Sequence, residues 1–235
     1  MHKVFYKKML EAALPVQVNQ PTRLIGIRHG QTSWNAQGLL QGQEDIPLTT
    51  KGRMQAKLIA ELLATHEPAI AALYSSDLQR AYNTAEAISF LTNKQIITTQ
   101  LLRERHAGIG QGMSFEEYDR IYKPVEEHLN SRFASYPERG EYTELPGGET
   151  FNQVAARTYK ALGEIIAAHP GKTIVFVTHA RVLSTLIRSL EGELKQPLDN
   201  CCAVEFLYDP THSQLLTLKS IRNLEDKPHV HATGF

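Results

Sequence analysis

Short apolar runs alternate along this chain with longer segments in which apolar residues recur every three or four positions. The runs "RLIGI" (23–27), "AIAALYSS" (69–76), "QIITTQLL" (95–102) and "KTIVFVT" (172–178) predict buried strands. The last is β-branched and unbroken, the pattern of a strand covered on both faces. Between the runs lie helical patterns. "TTKGRMQAKLIAELLATH" (49–66) begins near Thr49 or Thr50 and puts Leu58, Ile59, Leu62 and Leu63 on one face. "DLQRAYNTAEAISFLT" (77–92) offers Asp77 as its N-cap. A long helix follows over 150–170 and another over 180–192, ending at Gly192. Two further strands, "AVEFLYD" (203–209) and "QLLTLKSI" (214–221), are joined by a turn at "PTHS".

Two segments stand outside this alternation. Residues 112–148 are polar and tyrosine-rich, and read as an inserted helix and loop ending in the turn "LPGGE". Residues 1–21 carry lysines before a short apolar patch that Glu11 interrupts and Pro15 follows. A short helix or loose arm fits this better than a signal peptide. The expected organisation is an N-terminal extension over 1–21 and one domain over 22–235, with the 112–148 insertion as lid or surface helix. Strands alternating with helices predict an α/β fold, a mainly parallel sheet flanked by helices on both faces. Such sheets place their sites beyond the carboxyl ends of the strands.

Composition narrows the partners. Lys+Arg and Asp+Glu are both 25 in 235 residues, so no basic excess favours nucleic acid or an anionic membrane. No apolar run approaches the ~20 residues that span a bilayer. The two cysteines, Cys201 and Cys202, are adjacent and cannot staple distant loops. They read as small, partly buried residues, and the usage fits a reducing, cytoplasmic setting.

Three strand ends carry chemistry. "RLIGI" runs into Arg28-His29-Gly30, "AALYSS" into Asp77 and Arg80, and "TIVFVT" into His179. If these strands are neighbours, two guanidiniums and two imidazoles converge, although His29 and His179 lie 150 positions apart. Arginine forks match phosphate oxygens, and helix N-termini add backbone donors. Asn35 can add another. The sum favours a dianion. A neutral histidine there can attack phosphorus and form a covalent phosphohistidine. Glu104, after the third strand, is the best-placed acid for the leaving group, with Glu116 and Glu117 as rivals nearby. A zinc triad of His29, His106 and His179 is the weaker reading, because the arginines oppose a cation. The tail "HVHATGF" reads as a disordered terminus rather than a chelator.

Four blocks, in order, resemble the histidine phosphatase superfamily, also called phosphoglycerate-mutase-like. They are "RLIGIRHGQTSWNAQGLLQGQEDIPLTTKGRMQA", "YSSDLQRAYNTAEAI", "LLRERHAGIGQG" and "VFVTHARVLSTLI", within roughly residues 22 to 220. The resemblance implies a phosphoglycerate-mutase-like fold with His29 as nucleophile. It implies phosphate binding by Arg28, Asn35, Arg80 and His179, and acid–base work by Glu104. Gln41 and Gly42 fall where relatives contact the rest of the substrate, and Gly30 lets the backbone turn close to the phosphate. It implies no metal and no cofactor. The sequence departs where many relatives have Gly after the second histidine. Here it is Ala180, followed by Arg181, which reads as an exposed helix residue rather than a substrate contact.

Within the family, the Asn-Lys pair that follows the Glu104-Arg105-His106 block in the mutases is missing there, no adjacent arginine pair occurs in the chain, and "PGGE" resembles the phosphatase branch, which includes broad-specificity and fructose-2,6-bisphosphatase-like enzymes. The expected function is a metal-independent phosphomonoesterase acting on small phosphorylated metabolites through phosphohistidine. A 2,3-bisphosphoglycerate-dependent phosphoglycerate mutase is the alternative, and a non-catalytic phosphate-ligand binding protein the second. The expected partner is the small metabolite, with no nucleic acid and no membrane. A homodimer is the candidate assembly.

Overall fold

The computed structural model describes residues 2–14, 17–67, 69–132, 142–143 and 145–224. Six strands form one sheet: β1 (Thr22–Arg28), β2 (Ile70–Ser76), β3 (Ile96–Thr99), β4 (Thr173–Thr178), β5 (Ala203–Tyr208) and β6 (Leu216–Arg222). Their order is β3-β2-β4-β1-β5-β6. The pairs β3–β2, β2–β4 and β4–β1 are parallel, and β5 runs antiparallel to both β1 and β6. Only β5 is therefore reversed, and the mainly parallel expectation holds.

The period of two along the strands sorts side chains onto two cores. Leu24 of β1 with Ile174 and Phe176 of β4 face one cluster, and Ile25, Ile27, Val175 and Val177 face the other. The helices are α1 (His2–Ala13), α2 (Ser33–Gln37), α3 (Thr50–His66), α4 (Gln79–Thr92), α5 (Phe115–Arg132), α6 (Phe151–Ala168) and α7 (Ala180–Glu191). Ile59 and Leu63 of α3 and Ala81, Ala85 and Ile88 of α4 fill the second core. Tyr6 and Leu10 of α1, with α6 and α7, fill the first. The N-terminal segment is thus a docked helix. Its Tyr6 hydroxyl donates to Asn152 Oδ1 at 3.1 Å, and its ring stacks on Tyr159. The insertion begins as α5, while residues 133–141, 144 and the 225–235 tail lie outside the described residues.

Four local expectations are corrected. Leu58 is exposed, because the buried stripe of α3 runs Gly52, Ala56, Ile59, Ala60, Leu63. Asp77 does not cap α4, whose N-cap position is Leu78 without a side-chain bond. Asp77 is drawn off by Arg103, which donates to both its carboxylate oxygens at 2.8 and 2.6 Å, and Asp45 instead accepts the Gln79 N–H at 2.7 Å. The third run is strand only to Thr99 and then a 3₁₀ turn over Gln100–Leu102. Both cysteines are completely buried, and burial pushes the Cys202 thiol up to about 12.

Candidate active site

The sheet order seats β2, β4 and β1 side by side, so their carboxyl ends deliver Arg80, His179 and Arg28-His29 to one place. The His29 and His179 rings lie 5.1 Å apart, centroid to centroid. A cavity of about 410 Å³ opens there. Arg28, His29, Asn35, Gln41, Gly42, Arg80 and Glu104 all line it. His179 is fully buried beneath it, next to Arg80.

Each imidazole has a defined tautomer. His29 Nδ1 lies 2.7 Å from the Gly30 carbonyl oxygen. A carbonyl only accepts, so Nδ1 carries the proton and Nε2 keeps its lone pair. His179 Nδ1 accepts from Arg80 Nε at 3.2 Å, which leaves Nε2–H to donate to Ser76 Oγ at 2.9 Å. Burial, then the Arg80 and Arg28 charges, holds the His29 pKa well below that of an ordinary imidazole. Burial, Arg80 and His29 do the same to His179. Both rings are neutral at neutral pH.

The arginines are fixed by carbonyls. Arg80 donates to the Glu44 and Gly42 oxygens at 2.6 and 2.7 Å, and Arg28 to Leu198 O at 2.5 Å. Burial lowers both pKa values, Arg80 to about 10, and the Glu104 charge pulls each back up. Arg28 Nε is buried without a partner. A site holding two desolvated cations and few counter-charges is built for an anion.

The stretch after β1 is shaped locally. Thr32 caps α2 through a capping box with Asn35. The Asn35 carboxamide oxygen accepts from Thr32 N and from Asn200 Nδ2, both at 3.2 Å, so its nitrogen remains the group for a ligand. Gly30 is needed for a different reason than expected. A Cβ there would collide with the Gly52 carbonyl at the start of α3, so the close approach is to protein backbone. Gly42 has φ 52° and offers its carbonyl to Arg80, and the Gln41 oxygen meets the Thr32 hydroxyl at 2.9 Å.

Glu104 is the one carboxylate among the described residues that lines the cavity. Its oxygens accept the backbone N–H of Arg105 at 2.7 Å and of Arg181 at 3.3 Å. Glu117 is taken up by Ser114 at the start of α5, which removes it as a rival. Arg181 is exposed, as expected, yet also lines the cavity. His106 accepts the Gly108 N–H and lies apart from the paired histidines. Several contributors carry no signal in the sequence. Asn200 lies before β5 and donates to the His29 carbonyl at 3.0 Å, while Phe115, Tyr118 and Leu145 make an apolar wall. The insertion thus supplies part of the cavity.

The comparisons with known proteins give the family. The model of the histidine phosphatase superfamily (branch 1) matches residues 24–221. The chain belongs to the histidine phosphatase superfamily. Histidine phosphatase relatives include phosphoglycerate mutase-like protein 4 of Arabidopsis thaliana, 37% identical over 217 residues, covering 90% of this chain and 88% of the relative. A metal-independent phosphoserine phosphatase of the same plant is 36% identical over 169 residues, covering 72% and 68%. Among solved structures, a native mycobacterial glucosyl-3-phosphoglycerate phosphatase superposes with a TM-score of 0.71 at 26% identity, covering 85% of this chain and 98% of that one. The histidine phosphatase fold is thus the frame in which the candidate groups stand.

Proposed function

We propose that this protein is a metal-independent phosphomonoesterase that hydrolyses small phosphorylated metabolites through a phosphohistidine on His29. One observation carries the reading: a neutral His29 with its Nε2 lone pair free stands in an arginine-lined cavity beside one carboxyl group among the described residues. The His29 Nε2 lone pair forms a bond to phosphorus as the ester P–O bond breaks. Arg28, Arg80 and Asn35 hold the phosphoryl oxygens, His179 joins them as its Nε2–H passes from Ser76 Oγ to the phosphate, and Glu104 gives its proton to the leaving oxygen. In the second half Glu104 takes a proton from water, the water oxygen bonds to phosphorus, and the N–P bond breaks to release inorganic phosphate.

The cavity volume suits a small metabolite. Gln41 and Gly42, on its rim, contact the part of the substrate beyond the phosphate. The phosphorylated serine and glucosyl-3-phosphoglycerate named for the relatives are the first compounds to try. The domain over 22–235 carries the chemistry, and the cytoplasm is its setting. A homodimer is consistent with the exposed Ile97 on the edge strand β3 and Phe90 on α4, and light scattering decides it.

The test is phosphate release from p-nitrophenyl phosphate and a metabolite panel, with and without a chelator. Turnover that the chelator leaves unchanged is expected, and no release from any ester overturns the reading. Faster isomerisation than hydrolysis of 3-phosphoglycerate makes the protein a mutase instead. Ligand retention without any turnover makes it a binding protein.

A further inference from the structure

Glu104 sits on a segment with no ladder of its own. After the 3₁₀ turn at Gln100–Leu102 the chain runs irregularly to Ala107, and its carbonyls need donors from elsewhere. Four consecutive carbonyls find side chains. Thr178 Oγ1 donates to Leu102 O at 2.8 Å. Arg157, on α6, takes the other three: Nη1 donates to Leu101 O at 2.9 Å and Arg103 O at 2.6 Å, and Nη2 to Glu104 O at 3.0 Å.

The same guanidinium is gripped from behind. Arg157 Nε and Nη2 donate to the two Glu149 carboxylate oxygens at 2.8 and 2.9 Å. All five N–H donors of the guanidinium are thereby used. Glu149 in turn accepts the backbone N–H of His106 at 2.8 Å, and its own backbone exchanges hydrogen bonds with His106 and Arg105. Although burial pushes its pKa up, the Arg157 pairing wins and holds Glu149 ionised. The acid-bearing loop is thus pinned on one side by Arg157 and on the other by Glu149.

We propose that the Arg157–Glu149 pair is a positioning device for Glu104: it fixes the backbone from which the acid reaches the leaving oxygen, without either residue touching substrate. This rests on the phosphatase reading above. Small misplacements of a proton donor are costly, and general acid catalysis contributes roughly 10²–10⁴-fold to rate. The dependence on the acid varies with the leaving group. An alkyl alkoxide needs its proton in the transition state, whereas p-nitrophenolate leaves without one.

The test compares kcat/KM for an alkyl phosphate, such as phosphoserine or glycerol phosphate, with that for p-nitrophenyl phosphate. This parameter reports steps up to the first loss of alcohol, so the later hydrolysis of phosphohistidine does not enter it. In Arg157→Lys and in the milder Glu149→Gln, the alkyl-to-aryl ratio of kcat/KM is expected to fall at least about tenfold, in the direction shown by Glu104→Gln. Equal losses on both substrates, or an unchanged ratio, would overturn the proposal while leaving the phosphatase reading intact. A wild-type protein inactive on every ester defeats the phosphatase reading first. If Arg157→Lys fails to fold by circular dichroism, Glu149→Gln decides alone. Its charge loss leaves the carboxamide oxygen to accept, so the fold is retained while the grip is loosened.

Discussion

At the residue scale, the chemistry depends on where two protons sit. The Gly30 carbonyl keeps one on His29 Nδ1, and Arg80 forces the other onto His179 Nε2. Arg80 therefore orients one imidazole, besides the hold on phosphoryl oxygens proposed for it above. Arg80→Ala is expected to lower kcat/KM by about 10²–10³-fold on alkyl and aryl phosphates alike, measured by steady-state hydrolysis. The neutral rings also set a pH dependence. Folded His29 and His179 titrate well below 6.5, whereas in the unfolded chain each takes up a proton near that value. Between the lowered and the ordinary pKa the unfolded state binds more protons, so stability is present above about 6.5 and declines as pH falls through that window. The melting temperature is expected to drop on acidification from about pH 7.5 to 5, and to drop less in His179→Gln.

These residues were legible unevenly. Arg28, His29 and His179 end apolar runs, so the strand-end rule points straight at them. Glu104 was legible only as an acid after a strand, and its two backbone donors come from separate segments. Asp77 misled, because Arg103 offers a bidentate partner that a cap position cannot match. Asn200 and the Arg157–Glu149 pair were invisible, since nothing along the chain places residue 157 behind residue 104.

At the element scale, helix placement explains what periodicity left ambiguous. Leu58 and Ile59 are adjacent and equally apolar, and only the axis of α3 over the sheet buries one and exposes the other. The meeting of α3 with the turn after β1 is equally tight. Gly30→Ala is expected to destabilise by about 1–3 kcal/mol in urea unfolding, since the Gly52 backbone has no side chain to swing away. On the opposite face α1 packs on α6, the helix that carries Arg157. Leu10 is fully buried there, and Leu10→Ala is expected to cost about 2–5 kcal/mol by the same measurement. A helix was one of the two readings the sequence left open for the first residues, beside a loose arm. That the helix docks on α6 was not, because Tyr6 and Asn152 meet only in the fold.

At the scale of the whole molecule, one topological fact creates the site. Inserting β4 between β1 and β2 places His179 between Arg80 and His29, residues otherwise far apart in sequence. The alternation of strands and helices made the α/β class readable, but strand order is decided by which faces bury together. The reversal of β5 had no signal in its composition. The proposed hydrolysis stands on His29 becoming phosphorylated during turnover. Rapid quenching with a ³²P-labelled phosphomonoester, followed by peptide mass spectrometry, measures this directly. An acid-labile phosphoryl group on the peptide containing His29, absent in His29→Ala together with phosphate release, is the expected result. Wild-type turnover with no label on His29, or undiminished release by His29→Ala, would contradict it.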